Sequence, residues 1–407
     1  MAERDYPFGW VDFSREDSRL AADIINALRE QGAVDELGLG VIQSAFADRF
    51  FPGTSTIQTR AKYFFAVCYA LREVFENTDR KNFASKLYTI EKDYSKALYE
   101  NNSDEDKEGI FGSRFFDSDN KSWVRRPPSE VYWNGIKQFG FIRFDESKKG
   151  ISLAEFIRIL ETESSADNGY IRQKGDEDED CDRNDAEEKF WHWQLLQPGN
   201  WQKSPTPALS EDEKSFFRQQ IREKFNGTLF CTMLENGLPG EFEYANRLPL
   251  GAELEKLWQL ANGFAEFIYP AQIYFNLLLQ RRKSAEEWRG LQGTFQQRAE
   301  KVDIDGIFKI LPAASPAALI RRKRTEKFLN DLKTLFLAEK LDEYALDELL
   351  TAREKYLKGV KRAKLCHRED FQNGGSMFSG EKLSFRFPVA RTLLKDIGVK
   401  ELEDVRP

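Results

Sequence analysis

The chain predicts a mainly α, multi-helical protein in two halves, with one small helix-hairpin-helix element of winged-helix type in the N-terminal half. Three observations lead there. Apolar residues recur at steps of three and four through most segments, capping residues and glycine stops bracket those segments, and period-two alternation is confined to one short stretch. At 407 residues, 41% of them hydrophobic, the chain has enough apolar material for sizeable cores.

The elements follow in order. Ser14 is placed to cap a helix through Gln31, with Leu20, Ile24 and Leu28 on one face and Gly32 as its stop. A second helix follows Gly38 and Gly40, with Val41, Ile42, Ala45, Phe46 and Phe50 inward. The third carries Ile57, Ala61, Phe64, Cys68, Leu71 and Phe75, a single stripe facing the core. After a polar stretch, Ser129 opens a helix with Val131, Tyr132 and Ile136, and "GFIRFDESKKGISL" alternates about a polar turn like a hairpin before a further helix. "GDEDEDCDRNDAEE" is rich in carboxylates and has nothing to bury, so residues 166–188 read as an acidic linker between domains 1–165 and 189–407.

The second half reads as almost wholly helical. Ser210 and Glu213 form a capping box. Helices are expected over 252–263, 270–281 with a break at Pro270, 316–339 and 341–358. "GGSMFSGEKLSFRF" reads as a glycine-rich turn into a short strand, and "PVARTLLKDIG" as a last helix with a glycine stop.

Composition excludes several functions. No segment approaches about 18 apolar residues in a row, and the first residues lack a hydrophobic signal core, so a soluble cytoplasmic protein without a membrane partner is expected. Cys68, Cys181, Cys231 and Cys366 form no Cys-x-x-Cys pair, which argues against a disulfide framework or zinc ribbon. With only His192 and His367, the chain has no histidine-rich metal site and shows no nucleophile and base pair. No cofactor and no metal is expected. A net charge of −7 means that any nucleic-acid binding must rest on local patches.

Three constellations can carry chemistry. In "RFFPGTSTIQTRAKYFF", Ser55 and Gln58 have capping-box spacing, while Thr54, Ser55, Thr56, Thr59 and Arg60 at a helix start can also hold a phosphate. Asp35, Glu36 and Asp48 are weak catalytic candidates, since converging carboxylates can bind Mg²⁺ for phosphodiester cleavage; alternatively they cap helices and pair with arginines. Basic clusters carry more weight: Arg125 and Arg126; Arg321, Arg322, Lys323 and Arg324; and Lys358, Lys361, Arg362 and Lys364 within "REKYLKGVKRAK".

The segments "FGWVDFS", "DELGLGVIQSAFADRFFPGTSTIQTRAKYFF", "SEVYWNGIKQFGF" and "REKYLKGVKRAKL" together resemble an uncharacterised bacterial family that carries a domain-of-unknown-function label. The likeness is strongest from Phe8 to Phe65 and recurs towards the C-terminus. It implies a context in anti-phage defence or mobile gene neighbourhoods near helicase and nuclease genes, and it implies no catalytic residues. Three functions are therefore expected, in this order. The first is a non-enzymatic accessory subunit that binds nucleic acid, DNA in preference to RNA, beside helicase or nuclease partners. The second is a scaffold or sensor with Trp191, Trp193 and Trp201 as anchors for a protein. The third is a carboxylate- and Mg-dependent nuclease.

Overall fold

The computed structural model describes residues 35–77, 79–103, 107–116, 123–162, 190–313, 316–372, 375–378 and 381–402. The helix expected at 14–31, the acidic segment 166–188 and Cys181 lie outside the described residues. The protein is mainly α-helical with one small two-stranded antiparallel sheet. In chain order the helices are α1 (Gly40–Phe50), α2 (Lys62–Glu76), α3 (Phe83–Glu100), α4 (Ser113–Phe116) and α5 (Pro128–Phe139). Strand β1 (Ile142–Phe144), α6 (Leu153–Thr162) and β2 (Trp191–Trp193) come next, then α7 (Glu211–Lys224), α8 (Leu229–Asn236) and α9 (Ala252–Leu278). The last helices are α10 (Ser284–Leu291), α11 (Phe295–Lys301), α12 (Ile304–Ile310), α13 (Pro316–Leu337), α14 (Glu343–Lys358) and α15 (Phe387–Asp396).

Two compact units divide the chain. One holds the described residues of Met1–Ala45 with Gly263–Leu383; the other holds Phe46–Asn262 with the described residues of Ser384–Pro407. Each takes residues from both sides of the acidic segment.

In the unit that contains Phe46–Asn262, α2 is the central helix. Tyr63 to Arg72 are all buried, so the expected single apolar stripe is in fact an all-round apolar surface. α3 and α5 pack against it. Phe64 touches the rings of Tyr132, Phe139, Phe141 and Phe217 at 4.8 to 5.3 Å between centroids, mostly edge to face. The approach of α5 to the preceding turn is close enough that a Cβ on Gly135 would meet the Gly53 carbonyl oxygen at 2.6 Å. Gly53 itself has φ +78°, open to glycine at little cost.

The expected hairpin does not form. Residues Glu146–Lys148 make a 3₁₀ turn, and β1 pairs with β2 from beyond the acidic segment, Ile142 opposite Trp193 and Phe144 opposite Trp191. Packing decides the partner: Trp191 is fully buried against Phe75 and Phe156, an apolar contact that the polar "DESKKG" stretch cannot supply. Val41 is likewise corrected, being 57% exposed, because it lies off the face that buries Ile42 and Phe46.

In the unit that contains Gly263–Leu383, Pro270 neither breaks nor restarts the helix; α9 runs through it. Proline removes the N–H that would bond the carbonyl four residues back. The Glu266 carbonyl instead accepts from Arg298 Nη1 of α11 at 3.0 Å, and the Glu266 carboxylate pairs with Arg298 and Lys382. Arg298→Ala is expected to cost about 2–3 kcal/mol in urea denaturation, because the carbonyl loses its donor and the carboxylate one of its two cations. In a Pro270→Ala background the carbonyl regains a helical N–H, so the cost of Arg298→Ala should fall by about 1 kcal/mol; equal costs in both backgrounds would disprove the compensation.

The strand expected before the last helix is absent among the described residues. Phe385 and Arg386 have φ of +51° and +67°, a conformation that ends extended structure. It is held by Phe385 packing on Phe46 and Phe242, and by Arg386 donating to Asp48 and to the Thr54 carbonyl. The glycine stop of α15 is present as Gly398 at φ +86°.

Candidate nucleic-acid interface

The turn at 49–61 binds an anion that the chain supplies itself. α2 starts at Lys62, later than the Ser55 cap predicts. Gln58 does reach back to the Ser55 N–H at 3.1 Å, but the Ser55 hydroxyl is buried without a partner, so only half a capping box forms. Thr54 donates to the Phe51 carbonyl and Thr59 to that of Gly109, both at 2.6 Å, while Thr56 is exposed. The free N–H groups of Thr59 and Arg60 donate to the Tyr132 hydroxyl at 2.8 and 3.1 Å. Asp396, from α15, takes the Ala61 N–H at 2.8 Å and the Arg60 guanidinium at 3.1 and 3.0 Å. The carboxylate thus occupies the position that a phosphate would need. Burial pushes its pKa above the ordinary value, with Arg60 acting in the opposite sense. A second buried acid, Glu91, holds the start of α5 through the Ser129 N–H at 2.6 Å and the Ser129 hydroxyl at 3.0 Å; burial raises its pKa to about 8.

The three carboxylates proposed for Mg²⁺ are not brought together. Asp35 caps α1, accepting from Leu39 at 2.6 Å and Gly40 at 2.7 Å. Glu36 is buried and bonded by Lys358 and Lys364. Asp48 pairs with Arg386 at 2.6 Å. Among the described residues no group of three or more His, Cys, Asp or Glu is arranged to hold a metal ion.

Of the basic residues, those at the start of α13 and just after α14 are brought to one end of a helical hairpin. The two helices are joined by a short turn capped by Asp342 and pack antiparallel as a hairpin, so the start of α13 and the end of α14 lie together. The contacts fix the level: Arg353 Nη2 donates to Thr325 at 2.8 Å, and the Arg324 guanidinium lies 4.3 Å from the centre of the Tyr356 ring. Some cations are consumed internally. Lys358 and Lys364 neutralise Glu36, Lys358 also bonds Glu354 at 3.0 Å, and Arg322 donates to the Phe308 carbonyl beside Asp305 and Glu326. Arg321, Lys323, Arg324, Lys361 and Arg362 stay exposed, and none has a carboxylate partner among the described residues.

Sequence reasoning missed what lies between these charges. Leu319, Ile320, Tyr356 and Val360 are 43%, 59%, 39% and 49% exposed. The signal was present in the spacing: Ile320 is one helical turn before Arg324, and Tyr356 stands between Lys355 and Lys358. In the other unit, Arg125 and Arg126 precede α5, Arg125 exposed and Arg126 half-buried, with no ion pair among the described residues. The tryptophans expected to anchor a protein are packed instead. Trp191 is in the core, half-buried Trp193 meets Trp191 and Phe156 edge to face, and Trp201 donates to Glu73 at 2.9 Å with its ring tilted against Tyr69 and Tyr94. His192 lies in β2 and His367 bonds the Val360 carbonyl, so neither faces a nucleophile.

Fold and site together define a mainly helical protein with a group of exposed cations that have no carboxylate partner among the described residues, and in which no helix of the described residues is long and apolar enough to cross a membrane. Residues 6–154 match a domain described as a family of unknown function, DUF6361. That span contains the Asp396-filled turn and Arg125 and Arg126, and it stops short of the α13 and α14 hairpin. No curated protein and no solved structure matches the chain.

Proposed function

We propose that the basic end of the α13 and α14 hairpin binds nucleic-acid phosphate, DNA in preference to RNA, and that the protein is a non-enzymatic accessory subunit of a bacterial anti-phage defence or DNA-processing system. The observation that carries this reading is that Arg321, Lys323, Arg324, Lys361 and Arg362 lie exposed at one end of the hairpin of an acidic protein, without a carboxylate partner among the described residues. Structural cations in this chain have partners, as Lys358, Lys364 and Arg322 do. Cations held apart from carboxylates fit a ligand that brings its own negative charge. Catalysis would then fall to a helicase or nuclease partner.

A second phosphate contact is proposed at the segment of α5, β1 and α6, where β2 takes the place of the second hairpin strand. Arg125 and Arg126 before α5 would be its phosphate contacts, independent of the hairpin.

The test is binding of labelled DNA across a salt series, with Arg321, Lys323, Arg324, Lys361 and Arg362 changed to alanine together. Arg322 is left intact because it supports α12. Affinity should fall at least tenfold, and the log–log salt slope should shrink by about 0.7–0.9 for each phosphate contact removed. Unchanged slope and affinity would sink the assignment. Salt-independent capture of a protein would instead favour the scaffold reading, for which exposed Leu319, Ile320 and Val360 are the available apolar contacts.

A further inference from the structure

The charge on this surface is interleaved with apolar and aromatic groups in a way that phosphate binding alone does not need. Ile320 and Arg324 share one face of α13, a turn apart, and Arg324 stacks on Tyr356 of α14. Val360 follows Tyr356 by four positions, where the chain leaves the helix, and Lys361 and Arg362 come directly after it. Cations and apolar groups thus lie together at this end of the hairpin, and Tyr356 brings a partly exposed ring among them.

 At 39% exposure, that residue is partly open to a ligand.

We propose that this surface takes single-stranded nucleic acid in preference to duplex, with Tyr356 as the platform on which a base stacks. The inference rests on the reading of the hairpin as a phosphate-binding surface and names its substrate class. Two arguments support it. A purely electrostatic surface favours duplex, whose charge density is higher, so exposed apolar groups among the cations gain nothing from duplex phosphates. A single strand presents unpaired bases as well as phosphates, and bases stack on aromatic rings and on arginine planes without regard to sequence. The Arg324 guanidinium lies over the Tyr356 ring, so a base would stack on the exposed guanidinium plane or on the part of the ring it leaves open. Ile320, on the face of Arg324, and Val360 would cover further base edges while the exposed cations of this end follow the backbone.

The experiment compares four probes by fluorescence anisotropy at two salt concentrations: a mixed-sequence single strand, its duplex, an abasic strand of the same length, and the RNA equivalent of the single strand. Wild type, Tyr356→Ala and Tyr356→Trp are measured, with thermal midpoints to confirm folding. The single strand should bind about tenfold more tightly than the duplex or the abasic strand. Tyr356→Ala should lose about that factor for the single strand alone and keep the salt slope, and Tyr356→Trp should restore it. If Tyr356→Ala fails to fold, the abasic probe and the tryptophan variant still decide. Equal binding of single, abasic and duplex DNA would overturn the stacking inference and leave the phosphate reading standing. Absence of binding to every probe at low salt would overturn the phosphate reading itself.

Discussion

Asp396→Ala is expected to destabilise the protein by about 3–5 kcal/mol, the range for removing one member of a buried ion pair. Three donors lose their acceptor at once: the Ala61 N–H and the Arg60 Nε and Nη2 groups. The N–H cannot turn to another acceptor, because the start of α2 is fixed by Tyr132 on its other side. Asp396→Asn should fall between wild type and alanine. One amide oxygen can still accept from Ala61, while the amide nitrogen meets a guanidinium that also only donates. Urea denaturation of the three proteins checks the order. A further consequence follows from the carboxylate's standing in for an anion. Phosphate or sulfate should raise the melting temperature of Asp396→Ala more than that of wild type, since an ion that binds only the folded state stabilises it. A variant within 1 kcal/mol of wild type would show that the Ala61 N–H and the Arg60 guanidinium have another acceptor.

The same residues show what a sequence can reveal. Caps made within one turn were legible: the box of Ser210 and Glu213 forms with both bonds, at 2.8 and 3.2 Å. The opening turn was legible as a cluster of donors that attracts an anion, and its answer lay 335 positions away in Asp396. Nothing local marks such a partner, because the pairing depends on packing of α15 rather than on spacing. The hairpin failed for a related reason. Period-two alternation identified β1, yet its partner was chosen by burial of Trp191 across a long insertion. For the basic clusters, charge was legible and availability was not. Lys358, Lys364 and Arg322 look like their exposed neighbours in sequence, and only the positions of Glu36, Glu354 and the Phe308 carbonyl separate them.

Glu36→Ala is the second large effect, and it separates structural carboxylates from catalytic ones. Glu36 is 3% exposed and bonded by both Lys358 and Lys364; Glu354, fully buried, bonds Lys358 at 3.0 Å and the Leu365 N–H at 2.9 Å. Burial raises the pKa of Glu36, whereas the Leu365 N–H and its other bonds hold that of Glu354 low against burial. Removing Glu36 leaves Lys358 with Glu354 alone and Lys364 without its carboxylate in a largely buried place, at an expected cost of about 3–5 kcal/mol. Asp35→Ala removes a cap at an exposed helix start and should cost about 1 kcal/mol. Asp48→Ala breaks a pair whose carboxylate side chain is 64% exposed and should cost no more than about 1 kcal/mol. The expected order in urea denaturation is therefore Glu36 far above Asp35, with Asp48 last or level with it. A Mg-dependent nuclease built on these three carboxylates predicts a different pattern, in which each substitution abolishes cleavage and stability follows no such order. The network has its own check. Lys364→Met in the Glu36→Ala background removes the unpaired charge, so the double variant should recover part of the loss. Additive costs would mean that Lys364 and Glu36 do not act as a pair.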